Sequence, residues 1–309
     1  MKKTNNTLKN YSPLRYPGGK NRITPFVELL IEQTNIEKPI YIEPFAGGAG
    51  VALKLLVNNK VDEIVINDYD KAIYSMWRAI LTETNRFIDL LKSTPVTVDE
   101  WKKQKMIYLN LNKKYSFELG FATFFLNRTN RSGILKAGPI GGYEQKGNYK
   151  IDVRFNKDNL EERIKIIASK KRKIHLYNSD IRHFFLSYFE KYEERAFVYF
   201  DPPYYNKGKM LYKNFFNDGD HREIFNLINK IKSPWMLTYD NVEAIKKMYN
   251  TYEGYLFDLN YSVANSGRNS ELLYLSNNLK LPCEKIKKEK INLNFRAINY
   301  FACNLKPPC

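Results

Sequence analysis

The residues in this chain best suited to chemistry are Asp201-Pro202-Pro203-Tyr204, within the stretch Phe197 to Tyr205, FVYFDPPYY. Phe197-Val198-Tyr199-Phe200 has the apolar, aromatic composition of a buried strand. Two successive prolines remove two backbone donors and fix two φ angles, so neither helix nor ladder can continue through them. A rigid loop is therefore expected at the carboxyl end of a strand, with one carboxylate at its base and Tyr204 and Tyr205 just beyond. Ligands of open α/β sheets bind at such strand ends. A stiff turn capped by an acid would read the same way, and the tetrapeptide alone does not separate the two.

Two upstream stretches add to it. Ile40 to Phe45, IYIEPF, reads as a strand, and Ala46-Gly47-Gly48-Ala49-Gly50 as a tight turn into a helix over Val51 to Val57. Strand, glycine loop and helix make the first half of a nucleotide-binding βαβ unit. The spacing is not GxGxxG, so a dinucleotide is a poor match. The next strand, Glu63 to Asn67, ends at Asp68, about 20 residues after Gly47, where an acid typically accepts from ribose hydroxyls. The pair favours an adenosine-type ligand over a purely structural turn. Before both lies Leu14-Arg15-Tyr16-Pro17-Gly18-Gly19-Lys20, followed by Ile23, Phe26, Val27, Leu30 and Ile31 at helical spacing. Such a turn offers free N–H groups and an ammonium to an anion such as a carboxylate. An ordinary turn before a helix fits that segment equally well.

These residues need a frame, and the rest of the chain supplies it. Strands are expected at Ile174–Tyr177, Phe197–Phe200, Trp235–Tyr239, Tyr255–Tyr261 and Glu271–Leu275, giving seven in all. Helices fall at Ile181–Phe189, after Asn178-Ser179-Asp180, and at His221–Ile231 and Val242–Tyr249. The gap between the last two strands holds no helix, so they should pair as an antiparallel hairpin. The expected fold is α/β: a doubly wound, mostly parallel sheet with an antiparallel end.

Residues 70–170 interrupt that rhythm. Helical patterns run through Ala72–Leu91, Trp101–Leu111 and Phe117–Leu126. The chain then turns polar and glycine-rich, from Asn127-Arg128-Thr129-Asn130-Arg131-Ser132-Gly133 to Gly138-Pro139-Ile140-Gly141-Gly142-Tyr143. Glycine turns among basic and aromatic residues suit a hairpin or loop pressed onto nucleic acid, and long structureless connectors are unusual without a function. A helix at Asn159–Ala168 leads into Lys170-Lys171-Arg172-Lys173, a run that could add phosphate affinity or simply be a solvated face. The expected division is 12–69 with 171–279 as one domain, 70–170 as an insertion, and 280–309 as a basic tail without evident chemistry.

Composition narrows the partner. The 309 residues hold 50 Lys and Arg against 33 Asp and Glu, a net charge of +17, and are 43% hydrophobic. A core can form, and the excess charge favours a polyanion, nucleic acid before membrane. A lysine-rich codon bias explains part of the Lys content but not the shortage of acids. Three cysteines without a CxxC suggest neither a disulfide framework nor a zinc site, and the three histidines are isolated, so no metal is expected. No apolar run approaches a membrane span, and a soluble, cytoplasmic protein is expected.

Taken in order, PGGK, FAGGAG with Asp68, and DPPY resemble the Dam-type DNA adenine N6-methyltransferases, a likeness running from Leu14 to about Leu275. It implies a Rossmann-like S-adenosylmethionine-dependent methyltransferase sheet with an inserted helical and hairpin region for target recognition. It implies cofactor contacts at Tyr16, Gly18, Gly19, Lys20, Phe45, Gly47, Asp68, Asp180 and Asp201, and a catalytic loop at Asp201, Pro202, Pro203 and Tyr204. The turn carries Tyr16 where the best-known members have Trp, the glycine loop reads GGAG, and the Arg131–Lys136 region departs from Dam itself. Phosphates would meet Arg128, Arg131, Lys136, Lys146 and Lys150. The implied substrate is a flipped-out adenine in double-stranded DNA, in a bacterial or phage setting, with a cognate restriction endonuclease as a possible partner. The same loop could activate RNA adenine or a protein glutamine, or survive in a silent DNA-binding protein.

Overall fold

The computed structural model describes residues 10–15, 20–111, 114–205, 216–258 and 270–298. Eight strands form one sheet. They are β1 (Ile40–Glu43), β2 (Glu63–Asn67), β3 (Ile174–Tyr177), β4 (Ala196–Phe200), β5 (Trp235–Asp240), β6 (Gly254–Asp258), β7 (Ser270–Leu275) and β8 (Asn294–Ala297). Their order across the sheet is β3-β2-β1-β4-β5-β7-β6-β8.

β1 runs parallel to β2 and β4, with Ile42 opposite Val65 and Val198. β4 runs parallel to β5, with Phe200 opposite Leu237. Every residue of β1, β4 and β5 is buried, as expected where both faces of a parallel sheet are covered. β7 lies antiparallel to both β5 and β6, placing Asp240 opposite Glu271 and Leu256 opposite Leu272. The expected antiparallel pair is therefore present.

The eighth strand was not legible. β8 pairs antiparallel with β6, so the segment expected to be a plain basic tail adds an edge to the sheet. Its buried anchor is Phe295, packed 4.9 Å from Phe26 and 6.1 Å from Phe257. A single buried ring in four residues leaves no alternation to read. In the same segment Cys283 is disulfide-bonded, which the odd cysteine count does not suggest.

The chain divides into two compact units. Among the described residues, one comprises 10–15 and 20–21, Gly47–Asn59 and Asp70–Asn178; the other comprises Arg22–Ala46, Lys60–Tyr69 and the rest from Ser179 onward. The first holds α2 (Gly50–Val57), α3 (Lys71–Thr82), α4 (Thr84–Ser93), α5 (Val98–Leu111), α6 (Phe117–Thr129) and α7 (Lys157–Ser169). The single helix expected over 72–91 is broken at Glu83, which leaves the helical region at φ −125°. α6 runs past its expected end and is buried on all sides. Gly120 lets its backbone approach α3, since a Cβ there would stand 2.5 Å from the Ser75 carbonyl. Phe87 packs edge-on against Phe121 and Phe124 at 5.4 and 5.3 Å.

The second unit contains α1 (Thr24–Gln33), α8 (Ile181–Phe184), α9 (Asp218–Ile228), α10 (Glu243–Met248) and α11 (Cys283–Lys288) alongside most of the sheet. The helix expected over 181–189 is α8 followed by a π turn, Phe185–Phe189, and a 3-10 stretch, Glu190–Arg195. α9 starts earlier than expected because Asn217 and Asp220 form a capping box. Among the described residues, no helix is long and apolar enough to cross a membrane.

Candidate active site

The site in the second unit is built on strand ends. β4 delivers Asp201 at the point where its ladder stops, because Pro202 and Pro203 cannot extend it. Pro202 is buried, and Asp201, Pro203 and Tyr204 are half-buried. The loop is tied down by β5 and β7. The Thr238 hydroxyl donates to Asp201 Oδ1 at 2.7 Å. The Tyr205 backbone N–H donates to Asp240 Oδ1 at 2.8 Å. Tyr204 bonds to Glu271, and burial, then Asp201, then Glu271 hold its phenol well above the ordinary tyrosine range. Tyr204 is therefore a neutral ring anchored at its hydroxyl.

Phe45 and Asp68 follow the ends of β1 and β2, and each is half-buried. Asn67 ties this corner together. Its amide donates to the carbonyls of Pro44 and Ser179, and its oxygen accepts from the Ser179 N–H, each at 3.0 Å. Asp180, next to Ser179, is exposed and caps α8 by accepting from the His183 N–H at 2.9 Å. One amide thus anchors the backbone beside Phe45, Asp68 and Asp180. Sequence reasoning passed over Asn67, although an Asn at a strand end before an acid is a plausible backbone tie.

A ring and two carboxylates at adjacent strand ends suit the adenosine part of a nucleoside cofactor, whose hydroxyls and amino group need acceptors. The Phe45 ring also meets Phe216 edge-on at 5.9 Å. Phe216 and Tyr205, which flank residues 206–215, both pack on His221, at 5.6 and 4.9 Å. His221 is buried, its Nδ1 lies 2.8 Å from the Tyr239 hydroxyl, and burial lowers its pKa. It keeps both flanks of that segment packed while staying neutral. The sequence marks it only as an isolated core or surface histidine, and the structure places it in the core.

The first unit holds the glycine loop. Gly47 and Ala49 take left-handed backbone, with φ of 47° and 46°, so this loop makes two reversals within three residues. Trp77 Nε1 donates to the Gly47 carbonyl at 2.9 Å, and the Ser12 hydroxyl donates to Gly48 O at 2.5 Å. Lys20 begins a 3-10 turn, Lys20–Ile23, and is half-buried. Tyr16, Gly18 and Gly19 lie outside the described residues.

The insertion corrects one reading. Asn127 to Asn130 do not form a surface loop but end α6, and all four are buried. Asn127 accepts from Arg15 N–H at 2.7 Å and donates to Arg15 O at 2.9 Å and Gly133 O at 2.8 Å. Asn130 accepts from Trp101 Nε1 at 2.6 Å and donates to Ile134 O at 2.9 Å. Arg128 points into the protein, where it donates to the Arg154 carbonyl. Burial first, then Arg163, Arg15 and Arg154, push its pKa down to about 9, so it is still charged at neutral pH. This takes Arg128 out of the exposed set, whereas Arg131, Lys136, Lys146 and Lys150 are all exposed. The expected hairpin is reduced to one bridge, Asn130 with Pro139. The following loop is held by Gln145, which donates to Ile140 O at 2.8 Å and accepts from Ile151 N–H at 2.8 Å.

Comparison with known proteins decides the family. The model of the D12 class N6 adenine-specific DNA methyltransferases matches residues 16–263. The chain belongs to that family. It is 28% identical over 263 residues to the Type II methyltransferase M.MjaIII of Methanocaldococcus jannaschii, covering 77% of this chain and 88% of the relative. Among solved structures, the rRNA methyltransferase aviRa of Streptomyces viridochromogenes is similar at a TM-score of 0.37 and 10% identity, covering 82% of this chain and 84% of that one. Protein LPL1258 of Legionella pneumophila is similar at 0.35 and 12% identity, covering 95% and 99%. Both structural likenesses are too distant to bear on function.

Proposed function

We propose that this chain methylates the amino nitrogen of adenine at a specific sequence in double-stranded DNA, with S-adenosylmethionine as methyl donor. The observation that carries the reading is the Asp201 carboxylate at the end of β4, one oxygen held by Thr238, at the head of a proline-stiffened loop in a family of adenine methylases.

The amino group of adenine is a poor nucleophile because its lone pair is delocalised into the ring. Asp201 accepts one N–H bond and the Pro202 carbonyl the other. Gripped at both hydrogens, the nitrogen moves toward tetrahedral geometry and its lone pair becomes available. Acceptors fixed before the reaction stabilise the transition state without reorganising. Tyr204 offers its ring as a stacking face for a base that must leave the duplex to be reached. S-adenosylmethionine, when bound, supplies a methyl on a sulfonium that leaves as a neutral thioether. The nitrogen gains the methyl and sheds one proton, which the Asp201 carboxylate can take.

Phe45, Asp68 and Asp180 would hold the adenosine end of the cofactor, and Asp201 would border it. Gly47, Lys20 and the stretch Tyr16-Pro17-Gly18-Gly19 would serve its remaining groups. Residues 70–170 would recognise the target, with Arg131, Lys136, Lys146 and Lys150 on phosphates. The Type II name of the Methanocaldococcus jannaschii relative makes pairing with a restriction endonuclease part of the proposal.

The test is methyl transfer from labelled S-adenosylmethionine to plasmid DNA, RNA and protein, measured side by side. Label should enter plasmid adenines, and Asp68→Ala should weaken cofactor binding in calorimetry about 10- to 100-fold, the scale of hydrogen bonds to a charged group. An unlabelled plasmid beside labelled RNA or protein would overturn the reading.

A further inference from the structure

β5 holds the carboxylate of the DPPY loop. Register continues from Phe200 opposite Leu237, which brings Asp201 beside Thr238. Thr238 is fully buried, and Tyr199 is nearly so. The Thr238 hydroxyl lies 2.7 Å from Asp201 Oδ1 and 2.9 Å from the Tyr199 hydroxyl. A hydroxyl has one proton to donate, and the carboxylate can only accept. The Thr238 proton is therefore committed to Asp201, and Tyr199 must donate to Thr238. This fixes the direction of the chain: Tyr199 to Thr238 to Asp201. Two residues along β5, Asp240 accepts from the Tyr205 N–H, so β5 grips both ends of the loop.

Resting on the methylation reading above, we propose that Thr238, backed by Tyr199, is the positioning residue of the reaction. It donates to Asp201 Oδ1 and so fixes the plane of the carboxylate that accepts from the amino group of the base. A carboxylate free to rotate would meet that N–H in a spread of geometries, and catalysis by a preorganised acceptor is lost with such spread. Neither Thr238 nor Tyr199 meets the substrate in this arrangement. Their effect should therefore fall on the methyl-transfer step and not on binding.

The experiment uses the full chain, S-adenosylmethionine and plasmid DNA from a methylation-deficient host, with single-turnover rates at saturating DNA. Thr238→Val should slow methyl transfer roughly 10- to 100-fold, the scale of a hydrogen bond to a charged group. Affinity for cofactor and plasmid should be unchanged. Thr238→Ser, which restores the hydroxyl, should recover most of the rate. Because Thr238→Val strands the Tyr199 hydroxyl, the double variant Tyr199→Phe with Thr238→Val provides a form with no orphaned hydroxyl, and it should be as slow as the single one. Wild-type rate in the double variant, or failure of Thr238→Ser to recover, would overturn the proposal. A wild-type protein that leaves the plasmid unmethylated would instead overturn the underlying function.

Discussion

The proposed catalytic loop and residues 70–170 both carry conspicuous polar residues, yet the structure uses them in opposite ways. At Asp201 the motif presents a half-buried carboxylate, and unremarkable strand residues behind it do the holding. In the insertion, the polar string Asn127 to Asn130 is buried and does the holding itself, fastening Arg15, Gly133 and Trp101. The exposed cations there are Arg131, Lys136, Lys146 and Lys150, beside the exposed rings of Tyr143 and Tyr149. A polar residue next to a motif can thus be reagent or scaffold, and which it is depends on what else needs its hydrogen bonds.

Substitutions should break this contrast in order of size. Asp201→Ala should cost about 100- to 1,000-fold in methyl-transfer rate, the range for losing one preorganised transition-state partner. Its melting temperature and DNA affinity should stay near wild type, as checked by single-turnover kinetics and a thermal scan. Asn127→Ala should do the reverse. It strands three backbone partners and should lower unfolding free energy by about 3 kcal/mol, measured by urea denaturation. An Asn127→Ala protein as stable as wild type would show that the string is not scaffold.

Smaller effects sharpen the picture. Replacing Lys146 and Lys150 by Gln should weaken DNA binding across all sequences alike and reduce the salt slope by about one for each phosphate no longer neutralised. Titrations at several salt concentrations check this, and an unchanged slope would place the phosphates on other side chains. The smallest effect concerns His221. Burial lowers its folded pKa, so the unfolded chain binds more protons once pH falls below the unfolded value near 6.5. The stability His221 supports is complete above that pH and declines as pH drops beneath it. His221→Gln should flatten that decline in melting curves recorded from pH 7.5 to 5.

Much of the frame was legible because burial wrote it plainly. β2 and β3 occupy the expected residues, and β1, β4 and β5 differ only at their ends, since apolar runs closed by Gly, Pro or Asp leave little ambiguity. The antiparallel pair followed from a connection too short for a helix. What stayed hidden depends on tertiary partners. Thr238 and Asn67 are ordinary strand residues until the neighbour that accepts their proton is in place. Arg128 resembles its exposed neighbours in sequence, and α6, buried all round, has no polar face to mark its end. β8 rests on one ring, Phe295.

The most direct test of methyl transfer at Asp201 is to map modified bases in the genome of a methylation-free host expressing either the wild-type chain or Asp201→Ala. Wild type should place N6-methyladenine at nearly every copy of one short sequence, and the variant should leave those adenines bare. Unmodified adenines in the wild-type strain, or equal modification by Asp201→Ala, would contradict the assignment.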